Sequence, residues 1–154
     1  MPGDRRLDQI ALLLAEERVR PSKAKALAEP IRAAGGHRWT GIYDVDVPTG
    51  LVSNIAWSGS GPPEYRTFPI TKGLTSRAIA SKKAINVGDV ADDPDYLTAM
   101  ATTRSEIIIP VLDATGDRVL GTIDVESERS HAFDAATQEQ LERCAEALSS
   151  FWSL

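Results

Sequence analysis

Glu106-Ile107-Ile108-Ile109-Pro110-Val111-Leu112 and Arg118-Val119-Leu120-Gly121-Thr122-Ile123-Asp124-Val125-Glu126 decide how this chain folds. Apolar and polar residues alternate along both stretches. Asp113-Ala114-Thr115-Gly116-Asp117 between them supplies turn residues, so the three segments read as a β-hairpin. A turn centred on Thr115 sets Leu112 against Arg118 and Glu106 against Asp124. Successive strand side chains point to opposite faces. Ile107, Ile109, Val111, Val119, Ile123 and Val125 therefore share a core face, and Glu106, Ile108, Pro110, Thr122, Asp124 and Glu126 share the other. A slip by an even number of residues changes the pairing but keeps the faces.

That second face gathers three carboxylates. Like charges opposite one another cost stability, so water must screen them or something positive must answer them. Two readings stay open: a solvated strand end, or a pocket wall that recognises an ammonium group or keeps one carboxyl protonated.

Working outward, Arg38 to Val45 alternates with Trp39, Gly41, Tyr43 and Val45 on one face. Leu51 to Ser58 follows as a second strand after a turn at Pro48-Thr49-Gly50. Glu64 to Pro69 reads as a short edge strand, Gly73 to Lys83 as a short helix and Ala84 to Val87 as a fourth strand. Asp93-Pro94 has the chemistry of a helix start, predicting a short helix through about Met100. Before the strands, Leu7, Ile10, Ala11 and Leu14 form one helical stripe that Pro21 is expected to stop. Ser22 then caps a second helix with Ala24, Leu27, Ile31 and Ala34 on one face; Pro30 should kink or shorten it, and Gly35-Gly36 ends it. A last helix starts at Asp134, with Leu141, Cys144, Ala145, Leu148, Phe151 and Trp152 as its apolar stripe. Helices flanking hairpin-joined strands define an α+β domain rather than an alternating α/β one.

With 154 residues the chain fits one domain. Its 42% hydrophobic and 25% charged content is ordinary globular usage, so a core forms without a metal or disulfide. Cys144 is the only cysteine, which suits a reducing cytoplasm, the expected location. No apolar run approaches the roughly 20 residues of a membrane span, and a net charge of −5 disfavours nucleic acid as partner. His37 and His131 lack metal-ligand spacing, and Asp89, Asp92, Asp93 and Asp95 lack that of a calcium loop, so no metal or other cofactor is expected. Thr75 and Ser76 have the chemistry to bond a ligand but also suit any first helical turn. Tyr65, Tyr96, Trp57 and Met100 either line a pocket or pack the core.

Trp39-Thr40-Gly41-Ile42-Tyr43, the loop through Pro63, Phe68-Pro69-x-x-Lys72-Gly73-Leu74, Val87-Gly88-Asp89-Val90, Ser105-Glu106-Ile107-Ile108-Ile109-Pro110 and Gly121-Thr122-Ile123-Asp124-Val125-Glu126-Ser127 together resemble a GAF domain over about residues 22 to 152. The resemblance is strongest to the free methionine-(R)-sulfoxide reductase branch. It implies a six-stranded antiparallel sheet with the terminal helices on one face and a ligand pocket on the other. It also implies a ligand-binding set of Trp39, Tyr43, Glu106, Asp124 and Glu126, with a glutamate replacing one family aspartate. The reductases attack the sulfoxide with a thiolate and close a disulfide. The corresponding cysteine positions here hold Thr75 and, approximately, Tyr65 and Ala99, none of which can cycle through sulfenic acid. The resemblance therefore implies residues 21–154 as a single GAF domain, with residues 1–20 as a helix belonging to that domain or to a dimer interface. The expected function is non-catalytic: binding or sensing a small cationic or zwitterionic metabolite such as an amino acid, as a homodimer, with no catalytic residue. The alternatives are an enzyme that uses the pocket carboxylates, and a degenerate reductase homologue serving as an interaction scaffold.

Overall fold

The computed structural model describes residues 5–97 and 101–153. The helices are α1 (Arg5–Ala15), α2 (Arg20–Gly35), α3 (Gly73–Ser81) and α4 (Ala135–Leu148). The strands are β1 (Trp39–Asp46), β2 (Leu51–Gly59), β3 (Thr67–Pro69), β4 (Ile85–Val87), β5 (Ser105–Leu112) and β6 (Val119–Ser127). The six strands form one sheet in the order β3-β2-β1-β6-β5-β4, every pairing antiparallel. Hairpins join β1 to β2 and β5 to β6, and the pairing of β1 with β6 closes the centre. This is the α+β architecture the strand pattern implies. No described helix is long and apolar enough to cross a membrane.

Strand parity sorts the sheet into two faces. Ile42, Ala56, Ile107, Ile109, Val111, Ile123 and Val125 pack on one side against Ile10 of α1, Leu27 and Ile31 of α2, and Leu141, Cys144 and Leu148 of α4. Ile10, Leu27, Ile31, Ile123 and Leu148 are fully buried. Helix α1 packs on α2 and α4, so the first helix is part of the main core. Leu13 leans on that core, while Leu12 stays 69% exposed. Beyond the last helix, a 3-10 segment at Ser149–Ser153 adds buried Phe151. Trp152 Nε1 donates to Asp44 Oδ1 at 2.8 Å, and Arg20 pairs with the same carboxylate.

Several local expectations are corrected. Pro21 does not stop α1, which already ends at Ala15; it sits in the first turn of α2, where a missing N–H costs nothing. Ser22 is therefore inside the helix, and Val19 occupies the N-cap without a side-chain hydrogen bond. Helix α2 runs on through Pro30 to Gly35, and Gly36 ends it in the left-handed conformation at φ 63°. The third strand spans only Thr67–Pro69, leaving Tyr65 in the loop before it. No helix starts at Asp93: Val90–Asp92 forms a 3-10 turn whose cap is Asp89, and the Asp93 carboxylate accepts the N–H of Asp95 and bonds Arg77. A local Asx turn has satisfied the groups that a helix would have used. The rest of that expected helix, including Ala99 and Met100, lies outside the described residues.

Candidate functional site

The site is built on the sheet face away from the helices. The hairpin register differs from the expected one by two residues: Glu106 pairs with Glu126, and Ile108 with Asp124. The cause is at the turn. Asp113 Oδ1 accepts the Thr115 hydroxyl and the N–H groups of Asp117 and Arg118, and Asp113 N–H bonds Arg118 O. That closure pairs Leu112 with Val119 rather than Arg118, and an irregularity between Val111 and Leu112 shifts the register again. Val119 is buried but stands outside the main core cluster. The net slip is even, so the three carboxylates keep the expected face.

Glu106 is 2% exposed, Asp124 6% and Glu126 0%, which excludes the solvated strand end. One carboxylate oxygen from each lies within 4.8 Å of the others, a spacing that an ammonium nitrogen or a hard cation can bridge. None of the three takes part in a salt bridge among the described residues. Asp124 Oδ1 and Glu126 Oε2 are buried with no hydrogen-bond partner. Tyr96 Oη reaches Glu126 Oε1 only at 3.5 Å, the outer limit for such a contact.

Burial pushes the Glu106 carboxyl well above the usual range, and the charges of Asp124 and Glu126 push it further. Burial and then Glu126 do the same to Asp124. Glu126 is raised by burial, against hydrogen bonds from Glu106, Thr103 and Tyr96 and the nearby charge of Arg38. Arg38 itself is paired with Glu128. The three acids form one coupled system that retains protons a free carboxylate would lose.

The neighbouring strand completes this face. Gly41 pairs with Asp124 and Trp39 with Glu126. A Cβ on Gly41 would lie 2.3 Å from Trp39 Cη2 and 2.9 Å from Tyr43 Cε1, so glycine lets both rings close over β1. Their centroids are 6.5 Å apart, and Tyr43 meets Phe68 edge-on at 6.0 Å. Tyr43, Tyr65, Phe68, Gly73, Leu74, Thr75, Leu97, Glu106, Ile108 and Asp124 enclose a cavity of about 20 Å³, room for roughly one water. Tyr43, Glu106 and Asp124 thus line it together. Trp39 and Glu126 are buried beside it, Trp39 donating its indole N–H to Gly61 O at 2.8 Å.

The remaining candidates divide cleanly. Trp57 packs with Trp39 and Tyr43 and carries Arg66 over its ring at 5.3 Å, and Tyr96 packs beside Leu74, Ala78 and Ile108. His37 lies against Phe133, where burial lowers its pKa to about 4; His131 is exposed. Asp93 and Asp95 pair with Arg77 on an exposed turn. Cys144 belongs to the helix-covered core, on the opposite face from the carboxylates. Leu97 was not singled out in the sequence, because only the folded chain brings it against Gly73.

A six-stranded antiparallel sheet with a helical layer behind and an acidic, aromatic-walled cavity in front is an α+β architecture. The GAF domain model matches residues 22–152, and the chain belongs to that family. It is 26% identical to Bacillus subtilis protein YtsP over 71% of this chain and 65% of that protein. To the free methionine-R-sulfoxide reductase of Saccharomyces cerevisiae it is 31% identical over 72% of this chain, and the match spans 61% of the yeast protein. The match thus spans just under two thirds of each of these relatives. The crystal structure of free methionine-R-sulfoxide reductase from Neisseria meningitidis in complex with its substrate superposes with a TM-score of 0.83 at 26% identity, covering 99% of this chain and 93% of that one.

Proposed function

We propose that this GAF domain binds a small cationic or zwitterionic metabolite, an amino acid or amine, without carrying out chemistry on it. Glu106, Asp124 and Glu126 take the ammonium group, and Trp39 and Tyr43 shape the wall beside them. The observation that carries this reading is a buried three-carboxylate cluster with two unpartnered oxygens and no salt bridge among the described residues. A cation supplies the charge-assisted bonds those oxygens lack. The aromatic rings of Tyr43, Tyr65 and Phe68 suit the same charge. The one cysteine sits across the sheet in the core, so sulfoxide reduction by a site thiolate is not expected.

The domain acts as a cytoplasmic homodimer in this reading. Leu12 and Leu13 flank a groove between α1 and α2 that joins Ala26, Pro30, Ala33 and Ala34 with Gln9, Glu16 and Glu29, and two-fold pairing is the simplest way to cover its apolar part. The test of function is a thermal-shift screen with the twenty L-amino acids, L-methionine sulfoxide and short primary amines, alongside a turnover assay with methionine-(R)-sulfoxide and dithiothreitol. A Tm rise with at least one compound and no turnover is expected. Turnover that survives Cys144→Ala refutes the non-catalytic reading.

A further inference from the structure

We infer that the slot between helix α2 and the free edge of β2 docks an extended acidic segment of a partner protein, which joins the sheet as a strand beside residues 55–59. The slot shares no lining residue with the carboxylate cavity, so it is a second site, independent of the ammonium reading.

Strand β3 pairs with β2 only at residues 51–53, and one further backbone bond, from Asn54 N–H to Arg66 O at 2.7 Å, ends the contact. Among the described strands none pairs with residues 55–59 on that side. An unpaired edge offers its N–H and C=O groups to another chain, and proteins discourage this with charges or proline on the edge. The other uncovered edge, β5 beyond Ile108, carries Pro110. Ile55-Ala56-Trp57-Ser58-Gly59 carries neither a charge nor a proline. Beside it lies a groove of about 810 Å³ whose far wall is α2, through Pro21, Ser22, Lys25, Glu29 and Arg32. Residues 21–32 make about 17 Å of helix, and residues 55–60 make about 17 Å of strand. A slot that long, bordered by a strand edge, fits about five extended residues, the arrangement of peptide strand addition.

Charge selects the occupant. The chain has a net charge of −5, yet this slot holds Lys25, Arg32 and Arg38 against Glu29 alone. Glu29 is engaged by Arg32 and Ser58. Lys25 is exposed and takes part in no salt bridge among the described residues. Arg38 bonds Glu128 through one terminal nitrogen and leaves its Nε buried without a partner. Arg32 Nε donates to Ser58 Oγ at 2.7 Å, and Trp39, next to Arg38, pairs with Gly59, so both arginines stand at the Gly59 end. Acidic side chains are drawn to such a slot and basic ones repelled. Pro21 and Ile55 suit an apolar residue at the opposite end.

The experiment is a titration of isotope-labelled wild-type protein, followed by its amide chemical shifts, with blocked hexapeptides at up to millimolar concentration. The probes are a peptide of alternating valine and aspartate, its valine–lysine counterpart, and the acidic peptide methylated at every backbone nitrogen. The acidic peptide should shift the amides of residues 55–60 and bind at least tenfold tighter than the other two. Lys25→Glu, a change on exposed helix surface, should weaken the acidic peptide severalfold and strengthen the basic one. Equal affinity for the acidic and basic peptides, or for the methylated one, overturns the inference. So does an acidic peptide that fails to bind or that shifts only amides away from the slot. A homodimer that Lys25→Glu dissociates, with no peptide bound, puts a second copy in the slot and overturns it too. The comparison of the three peptides needs no variant, so the stability of Lys25→Glu does not decide the outcome.

Discussion

The two faces of the β5–β6 hairpin share one backbone and differ in everything that follows from their side chains. Ile107, Ile109, Ile123 and Val125 lie under three helices, and the burial of each is repaid by hydrophobic transfer and close packing. One residue along, Glu106, Asp124 and Glu126 are buried just as deeply, yet two of their oxygens bond nothing. Burying polar groups unsatisfied opposes folding. A fold that tolerates this on one face must gain its stability on the other, and the acidic face is where a ligand has the most to offer. Stability and binding should therefore separate by strand parity.

The largest effect should come from the helix-covered face. Ile123→Ala removes a fully buried side chain at the centre of the core and should destabilise the fold by about 2–5 kcal/mol in urea unfolding. Ligand affinity, measured where the variant is folded, should stay within a factor of about two. A comparable loss of affinity would mean that the faces are coupled rather than separate.

The acidic face should answer to pH. Glu106, Asp124 and Glu126 all have raised folded-state values. The native state then holds more protons than the unfolded chain above the ordinary carboxylate range. Their contribution is fully present below about pH 4 and is lost as pH rises through the folded values. Asp113 and Asp134 are shifted down by turn and cap hydrogen bonds and act in the opposite sense, losing their contribution as pH falls through their folded values. Urea unfolding from pH 5 to 8 should show wild-type stability declining with pH, and Glu106→Gln should flatten that slope. Identical slopes for the two proteins would contradict the coupled buried triad.

The smallest effect on stability belongs to the surface. Leu12→Glu alters an exposed side chain and should change folding by no more than about 0.5 kcal/mol, yet shift the molecule toward monomer in light scattering. A wild-type monomer at all practical concentrations would remove the homodimer proposal without touching the pocket.

Much of this contrast is visible in the sequence, because strand parity is a period-two signal that survives register errors. It put Ile107, Ile109, Ile123 and Val125 on one face and the three acids on the other. It did not place Glu106 opposite Glu126, because the pairing depends on how Asp113 closes the turn and where the strand irregularity falls. Pro21 was read as the stop of the first helix for a related reason: proline suits both the end of one helix and the first turn of the next, and only Glu16 to Val19 separate the two. Strand parity alone left the burial of the acids undecided between a solvated strand end and a pocket wall. That burial depends on α3, Tyr65 and Leu97 closing over the sheet, and nothing in the local pattern around Leu97 signals that contact.

The central claim is that the carboxylate face binds a cationic group and does not merely tolerate its acids. The most direct test is calorimetric titration of wild type and Asp124→Asn with the amino acids and short amines that raise the wild-type Tm. Asn keeps the shape and loses the charge, so the substitution should leave the fold as stable or more stable. It should also weaken binding by at least tenfold, the scale of a lost charge-assisted hydrogen bond at about 1.5–3 kcal/mol. If none of these compounds binds wild type, or if one binds Asp124→Asn as tightly as wild type, the claim is wrong.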